Sequence, residues 1–140
     1  MNSRCEVLVC GAGPVGLVTA LGLARAGLNV TVIEAEAGIN SAPRAAVYYP
    51  MVLELLERLE VIDAVHRIGL RNDSLQFRRR DSTEHVNLSA AVIAADTPYP
   101  YQLHFGQDQL AAILLGHLQG YANAHVRFQH PLTGLRQDHR

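Results

Sequence analysis

The fold is decided near the start of the chain by the stretch Val7-Leu8-Val9-Cys10-Gly11-Ala12-Gly13-Pro14-Val15-Gly16. Residues 6–9 form a short, mostly apolar run that stops at the glycines, and such a run is typical of a strand buried on both faces of a parallel sheet. From Pro14 the apolar residues recur at helical spacing as far as Gly27, and this spacing predicts an amphipathic helix. The glycines therefore lie at a turn from strand to helix.

A second strand is predicted over residues 29–33, because residues 30–33 are all β-branched. Glu34 follows this strand directly. Strand, helix and strand in this order form a βαβ unit. The sequence thus predicts an α/β fold with a Rossmann-like nucleotide-binding domain.

The glycine spacing suits a pyrophosphate, which needs clustered N–H donors and a positive potential. The start of a helix, here at Pro14 and Val15, has both the N–H donors and the positive potential. Pro14 destabilises the helix little at this position, because its missing N–H would have no helical partner. Gly11 permits the tight turn, Gly13 lets phosphates approach the backbone, and Gly16 lets the helix lie close to the strand. These five residues form the predicted phosphate site, although a glycine turn without a ligand stays open as an alternative.

Glu34 lies about twenty residues beyond the glycines, where a carboxylate can accept hydrogen bonds from the hydroxyl groups of an adenosine ribose. A phosphate on that ribose would meet a like charge. The sequence therefore favours FAD or NAD over NADP in this site.

The rest of the chain predicts further short elements. Helices are predicted from residue 50 to about residue 59, over residues 61–68 and over residues 107–121, and strands over residues 74–79, 84–89, 126–129 and 133–135. No repeat or linker composition separates one part of the chain from another. Residues 1–140 are therefore predicted to form one domain.

Composition narrows the class of partner. The 140 residues carry a formal net charge of -1 at pH 7, so no global field draws the chain to nucleic acid or to a membrane surface. The basic run Arg78-Arg79-Arg80 has no interleaved aromatic residues and is interpreted as an exposed strand edge. Cys5 and Cys10 are expected to stay free in a reducing cytoplasm, and no residue spacing is typical of a metal site.

The chain as a whole resembles the N-terminal part of the FAD-dependent aromatic-ring hydroxylases. These are single-component flavoprotein monooxygenases that include the phenol and para-hydroxybenzoate hydroxylases. Four segments carry the resemblance, namely Gly11-Ala12-Gly13-Pro14-Val15-Gly16-Leu17, Glu34, Pro43-Arg44-Ala45 ahead of Leu53-Glu54-Leu55-Leu56-Glu57-Arg58-Leu59, and Gln107-Asp108-Gln109-Leu110. The resemblance extends from Cys5 to about residue 138, and it makes residues 1–140 an expected FAD-binding domain.

The resemblance implies roles for two further residues. It implies that Arg44 lies beside the flavin diphosphate, where a fixed guanidinium suits a pair of phosphate oxygens. It implies that Gln107 contacts the ribityl chain, whose hydroxyls its amide can both donate to and accept from. Two simpler interpretations stay open, a solvated loop arginine for Arg44 and an ordinary residue at a helix start for Gln107.

The activity that the resemblance implies is hydroxylation of a small aromatic or polyketide-like substrate, with NAD(P)H as the co-substrate that reduces the flavin. The cofactor does the chemistry in such enzymes, so no catalytic side chain is assigned. Two rival hypotheses remain. One is a fragment of an NAD-linked dehydrogenase, and the other is a non-catalytic nucleotide-binding module that is truncated and needs a completing chain or a homo-oligomer.

The chain also departs from the family in two respects. The family usually has a basic residue close after the acidic one, whereas Ala35-Glu36-Ala37 follows Glu34 here. The length corresponds to the first third of a complete member, so we expect an incomplete Rossmann-like domain together with only the start of a small β-rich substrate region.

Overall fold

The structure, a computed structural model, describes residues 5–42, 44 and 46–137. In chain order its elements are β1 (Val7–Cys10), α1 (Pro14–Arg25), β2 (Val30–Ile33), β3 (Val47–Tyr48), α2 (Pro50–Arg58), α3 (Ile62–Ile68), β4 (Leu70–Asn72), β5 (Ser74–Arg78), β6 (His85–Ser89), a 3-10 turn (Ala90–Ile93), β7 (Gln102–His104), α4 (Gln107–Leu118) and β8 (Ala124–Arg127). The chain divides into two units, Met1–Arg44 with Gln107–Arg140, and Ala45–Gly106. A single FAD-binding domain over residues 1–140 stays a prediction.

The first unit contains the predicted βαβ arrangement, which is confirmed. Its sheet has the order β1-β2-β8, and all three strands are parallel, with Val9 opposite Val32 and Val32 opposite Val126. Helices α1 and α4 pack against each other, and α1 packs against the sheet. The core of this unit contains fully buried side chains of both helices and of β2, namely Leu17, Leu21, Leu114 and Leu118 from the helices and Val30 and Val32 from the strand. Since each helix lies in a connection between parallel strands, both helices begin at the carboxyl edge of the sheet.

Strand β1 differs from the prediction. A strand buried on both faces was expected over residues 6–9, but β1 lies at the edge of the sheet and alternates between half-buried and exposed residues. Leu8 is 48% exposed. The prediction was wrong because a parallel strand is covered on both faces only when the sheet continues past it. Within the described residues, no strand pairs with the outer edge of β1.

The second unit is rich in short antiparallel strands, as expected. One sheet has the order β3-β7-β4, and β5 and β6 form a separate hairpin in which Leu75 faces Leu88 and Phe77 faces Val86. Helices α2 and α3 bury an apolar stripe in this unit, formed by Leu53, Leu56 and Val65. The hairpin confirms the two strands predicted there.

Several short elements were missed or misplaced. Strands β3, β4 and β7 are two or three residues long, too short to show an alternating pattern. The strand predicted over residues 126–129 is β8, which begins two residues earlier and ends before Gln129, where φ is 59° and the strand geometry is lost. The strand predicted over residues 133–135 was wrong, since the chain there has no regular structure.

The described part of the chain contains no helix that is long and apolar enough to cross a membrane. Cys5 and Cys10 are both free. Cys5 precedes β1 rather than belonging to it.

Candidate functional site

The segment from the end of β1 into the first turn of α1, residues 11–16 and here called the glycine loop, contains three glycines that serve different structural purposes. Gly11 has φ +105°, a left-handed conformation that side chains disfavour. A Cβ at Gly16 would overlap the carbonyl oxygen of Gly11, so only glycine lets the helix approach the strand this closely. Gly13 has an ordinary φ of -74° and nothing within 4 Å of the place where a Cβ would stand. The protein itself therefore gives no reason for a glycine at position 13, and the open space beside it suits a ligand.

The start of α1 offers free donors to that space. Gly13 is the N-cap residue, Pro14 opens the helix, and the first turn contains no acidic side chain. Among the hydrogen bonds that join described residues, none uses the N–H of Gly13, Val15 or Gly16. Free N–H groups at the positive end of a helix dipole are suited to a phosphate.

A cleft of about 220 Å³ lies beside this helix start, entirely within the first unit. It takes its walls from the glycine loop, from the segment after β2 and from the first turns of α4. Its lining residues are Ala12, Gly13, Pro14, Glu34, Glu36, Gly38, Ile39, Asn40, Arg44, Gln107 and Ala111. A shallower groove adjoins the cleft, shares Gly13, Pro14 and Gln107 with it, and is also lined by Val9, Cys10, Gly11, Val15, Gly16 and Thr19.

The carboxylate of Glu34 is fixed by the backbone around it. Its Oε2 accepts a hydrogen bond of 2.8 Å from the N–H of Ala12, and its Oε1 accepts one of 3.0 Å from the N–H of Glu36. These two bonds, with that to Glu36 the larger cause, lower the pKa of Glu34 below its ordinary value of 4.5. Each carboxylate oxygen has a second lone pair, so the ionised group can still accept from ribose hydroxyls.

The segment after β2 is held by the continuation of β8. The N–H of Glu34 donates to the carbonyl of Arg127 at 2.9 Å, and the N–H of His130 donates to the carbonyl of Glu34 at 2.8 Å. The N–H of Gln129 donates to the carbonyl of Glu36 at 2.9 Å. Residues 34–36 therefore have a fixed backbone at the rim of the cleft.

Arg44 and Gln107 both line the cleft. Arg44 is exposed, whereas Pro43 and Ala45, which flank it in the segment that carries the family resemblance, lie outside the described residues. Gln107 is the first residue of α4, as predicted, so its side chain lies at the end of the helix that borders the cleft. All eight predicted site residues thus lie in the cleft or in the adjoining groove, namely Gly11, Gly13, Pro14, Val15, Gly16, Glu34, Arg44 and Gln107.

The structure adds residues to the site that sequence reasoning had missed. Ala111 lies four residues after Gln107 and so shares its helix face, which the helical period could have indicated. Glu36 had been noted only as a departure from a family pattern, yet it lines the cleft. Asn40 also lines it, and its Oδ1 accepts a 2.8 Å bond from the N–H of Ala42, which shapes the loop there.

The arrangement can hold an elongated anion with an adenosine end. The free N–H groups and the guanidinium of Arg44 can bind phosphate oxygens, and the Glu34 carboxylate in the same cleft can accept hydrogen bonds from ribose hydroxyls. The space left by Gly13 and the absence of an acid in the first turn both fit such a ligand. In the described ranges, no group of three or more side chains could hold a metal ion.

Comparisons with known proteins identify relatives over nearly the whole chain. The sequence profile of a family described as FAD binding domain matches residues 4–140. Over 133 residues, 95% of this chain, the sequence is 42% identical to 6-hydroxy-3-succinoylpyridine 3-monooxygenase of Pseudomonas putida strain S16 and covers 34% of that enzyme.

Solved structures agree with the sequence relatives. The p-nitrophenol 4-monooxygenase of Pseudomonas putida DLL-E4 superposes with a TM-score of 0.92 at 34% identity, over 99% of this chain and 35% of that one. A ternary complex of aklavinone-11 hydroxylase with FAD and aklavinone superposes with a TM-score of 0.73 at 34% identity, over 92% of this chain and 26% of that one. The chain spans about a third of the length of the 6-hydroxy-3-succinoylpyridine 3-monooxygenase and of the p-nitrophenol 4-monooxygenase.

Proposed function

This chain belongs to the FAD binding domain family, and on that premise we propose that it forms the cofactor-binding part of a flavin-dependent monooxygenase that hydroxylates an aromatic or polyketide-like ring. The observation that carries the proposal is the meeting of Glu34, Arg44 and Gln107 with the glycine loop around one cleft. These residues come from four separate places in the sequence. A structural glycine turn alone would not bring them together.

Each of these groups has a distinct part in holding FAD. The free N–H groups at the start of α1 and the guanidinium of Arg44 bind the diphosphate, since both supply positive potential to phosphate oxygens. Glu34 accepts from the adenosine ribose, and the amide of Gln107 binds the hydroxyls of the ribityl chain. When bound, FAD supplies the redox and oxygen chemistry, with NAD(P)H as the reductant. No catalytic side chain is assigned to this chain.

The two rival hypotheses are less well supported. An NAD-linked dehydrogenase fragment would give no role to Arg44 or Gln107, and the named relatives are monooxygenases and hydroxylases. A non-catalytic module remains compatible with the cleft, but no observation favours it over the monooxygenase part.

The proposal extends to partners and location. The unpaired outer edge of β1, with Leu8 exposed, suits pairing with a further strand, supplied by a completing chain or a second copy. The second unit, with its small antiparallel sheets, is the start of a substrate-binding region for a small aromatic molecule. A cytoplasmic location remains a prediction.

The test is a titration of both cofactors against two variants of the cleft. Arg44→Ala should weaken FAD binding about tenfold or more, because it removes a contact to a charged phosphate worth about 1.5–3 kcal/mol. Gln107→Ala should weaken it about two- to tenfold, because a hydrogen bond between uncharged groups contributes about 0.5–1.5 kcal/mol. For Gln107→Ala, NAD binding should change less, because NAD has no ribityl chain, whereas Arg44→Ala should weaken both, since NAD also carries a diphosphate. Arg80→Ala and Gln119→Ala remove the same side chains at exposed positions that do not line the cleft, and they should change neither affinity. Equal losses for FAD and NAD in Gln107→Ala would contradict the assignment of Gln107 to the ribityl chain.

A further inference from the structure

The rim of the cleft carries a second carboxylate that the proposed function does not use. Glu36 is exposed and lines the cleft beside Glu34. Its backbone N–H lies 3.0 Å from Oε1 of Glu34, and its carbonyl accepts from the N–H of Gln129 at 2.9 Å. The side chain therefore extends from a fixed backbone, whose N–H donates to the carboxylate assigned to the ribose.

We propose that Glu36 is a specificity residue that makes this cleft reject adenine nucleotides carrying a phosphate on the ribose. The inference rests on the proposed function, because it takes the ribose to lie at Glu34. Nucleotides of the excluded class carry the additional phosphate at the 2′ or the 3′ oxygen, whereas the ribose of FAD has free hydroxyls at both. Glu36 thus acts on the choice between nucleotides and not on the reaction.

Electrostatics at the rim favours this role over that of an ordinary solvated side chain. Glu36 adds a second acidic side chain to the rim beside Glu34, and a phosphate monoester adds a charge of about -1.5 to -2. The positive groups of the cleft, the start of α1 and Arg44, are the ones that the diphosphate of any such ligand already uses. Among the described residues that line the cleft, Arg44 is the one basic side chain, so a ribose phosphate would face two acidic side chains.

The size of the effect follows from Coulomb's law. For an exposed carboxylate about 6 Å from a phosphate, in surroundings close to bulk water and at low ionic strength, the repulsion corresponds to about a five- to tenfold loss of affinity. Glu36 therefore adds to the discrimination expected from Glu34, and its contribution should fall as salt is added.

The experiment measures competition for bound FAD by ADP, 2′-phospho-ADP and 3′-phospho-ADP, which share the 5′ diphosphate and differ only at the ribose, followed by flavin fluorescence. The wild-type chain should prefer ADP to both ribose-phosphorylated forms. Glu36→Gln should reduce that preference about five- to tenfold at low ionic strength with FAD affinity nearly unchanged, and Glu36→Arg should reduce it further, since an arginine at this place can accommodate a ribose phosphate. Asp81→Asn, in the turn between β5 and β6, makes the same change of net charge at a residue that does not line the cleft, and it should behave as wild type.

The outcomes separate the two proposals. If FAD binds the wild type and Glu36→Gln keeps the wild-type preference, the role of Glu36 is wrong while the cofactor site stands. If Asp81→Asn reduces the preference as much as Glu36→Gln, the effect belongs to net charge and the assignment is overturned. If the folded wild type binds neither FAD nor ADP, the proposed function fails and the role of Glu36 fails with it.

Discussion

The carboxylate of Glu34 joins the end of β2 to the glycine loop, because its Oε2 accepts a hydrogen bond of 2.8 Å from the backbone N–H of Ala12. The N–H of Gly11 in turn donates to the carbonyl of Ile33 at 2.8 Å. The first two amides of the loop are thus bound within the protein. The amides that remain for phosphate are those of Gly13, Val15 and Gly16, and Glu34 holds the loop in the shape that presents them.

The first prediction concerns this carboxylate. Glu34→Gln should weaken FAD binding about 10- to 100-fold, since hydrogen bonds to a charged group contribute about 1.5–3 kcal/mol. Isothermal titration of FAD measures the change. Glu6→Gln is the matched control, because Glu6 also accepts two hydrogen bonds from the chain, from the N–H and Nδ2 of Asn29, at the opposite end of β1. An equal loss of FAD affinity in both variants would contradict a local role for Glu34.

The second prediction concerns the pH dependence of stability. The backbone N–H of Glu36, and then that of Ala12, lower the pKa of Glu34 below 4.5, so folding favours its ionised form. Its contribution is present in full above the ordinary value and is lost as the pH falls through the lowered one. Urea unfolding of wild type and Glu34→Gln should therefore give a difference in unfolding free energy that shrinks with acid below that value. A difference that stays constant from neutral to acid pH would be inconsistent with this account.

The third prediction separates two glycines of one loop. Gly16→Ala should destabilise the fold by about 1–3 kcal/mol or more, because its Cβ would overlap the carbonyl oxygen of Gly11. Gly13→Ala meets no atom of the protein and should fold normally, yet it should weaken FAD binding because the methyl group occupies the space for the phosphates. Thermal melting and FAD titration of both variants test the pair. Unchanged FAD affinity in Gly13→Ala would show that this space does not receive the diphosphate.

The sequence was sufficient to predict the parts of the site that depend on local pattern. Gly11, Gly13 and Gly16 at fixed spacing, and Gln107 at the first residue of α4, follow from periodicity and composition, and the structure has them at the carboxyl edge of the parallel sheet. The exposed edge of β1 could not be predicted, because a single strand's pattern does not reveal which strands flank it. The strands β3, β4 and β7 were too short to show the alternating pattern of apolar and polar residues by which a strand is predicted.

The contacts that fix the cleft could not be predicted from the sequence either. The bond between Glu34 and Ala12 spans 22 positions, and the N–H of Gln129 reaches Glu36 from a distant segment. No periodicity encodes such pairs, since they depend on how β8 lies against β2. Arg44 was implied by the family resemblance and Glu36 was noted only as a departure from the family, and that both line one cleft required the tertiary structure.

The fourth prediction tests the packing of the first unit independently of the cleft. Asn123 donates from Nδ2 to the carbonyls of Ala24 and Leu28, at 2.9 and 2.8 Å, and so ties the end of α1 to the start of β8. Asn123→Ala leaves both carbonyls without this donor and should cost about 1–3 kcal/mol of unfolding free energy. FAD affinity at low temperature should stay the same. Asn87→Ala, which removes one exposed side-chain bond to Gln76, serves as the control and should cost much less.

Whether the chain binds FAD is measured most directly by titrating the purified wild type with FAD and with NAD, while circular dichroism records that it is folded. The cleft formed by the glycine loop, Glu34, Arg44 and Gln107 predicts saturable quenching of flavin fluorescence at one FAD per chain, with tighter binding of FAD than of NAD. A chain that keeps its helical signal and binds no flavin, or that binds NAD more tightly, would contradict this assignment of the site.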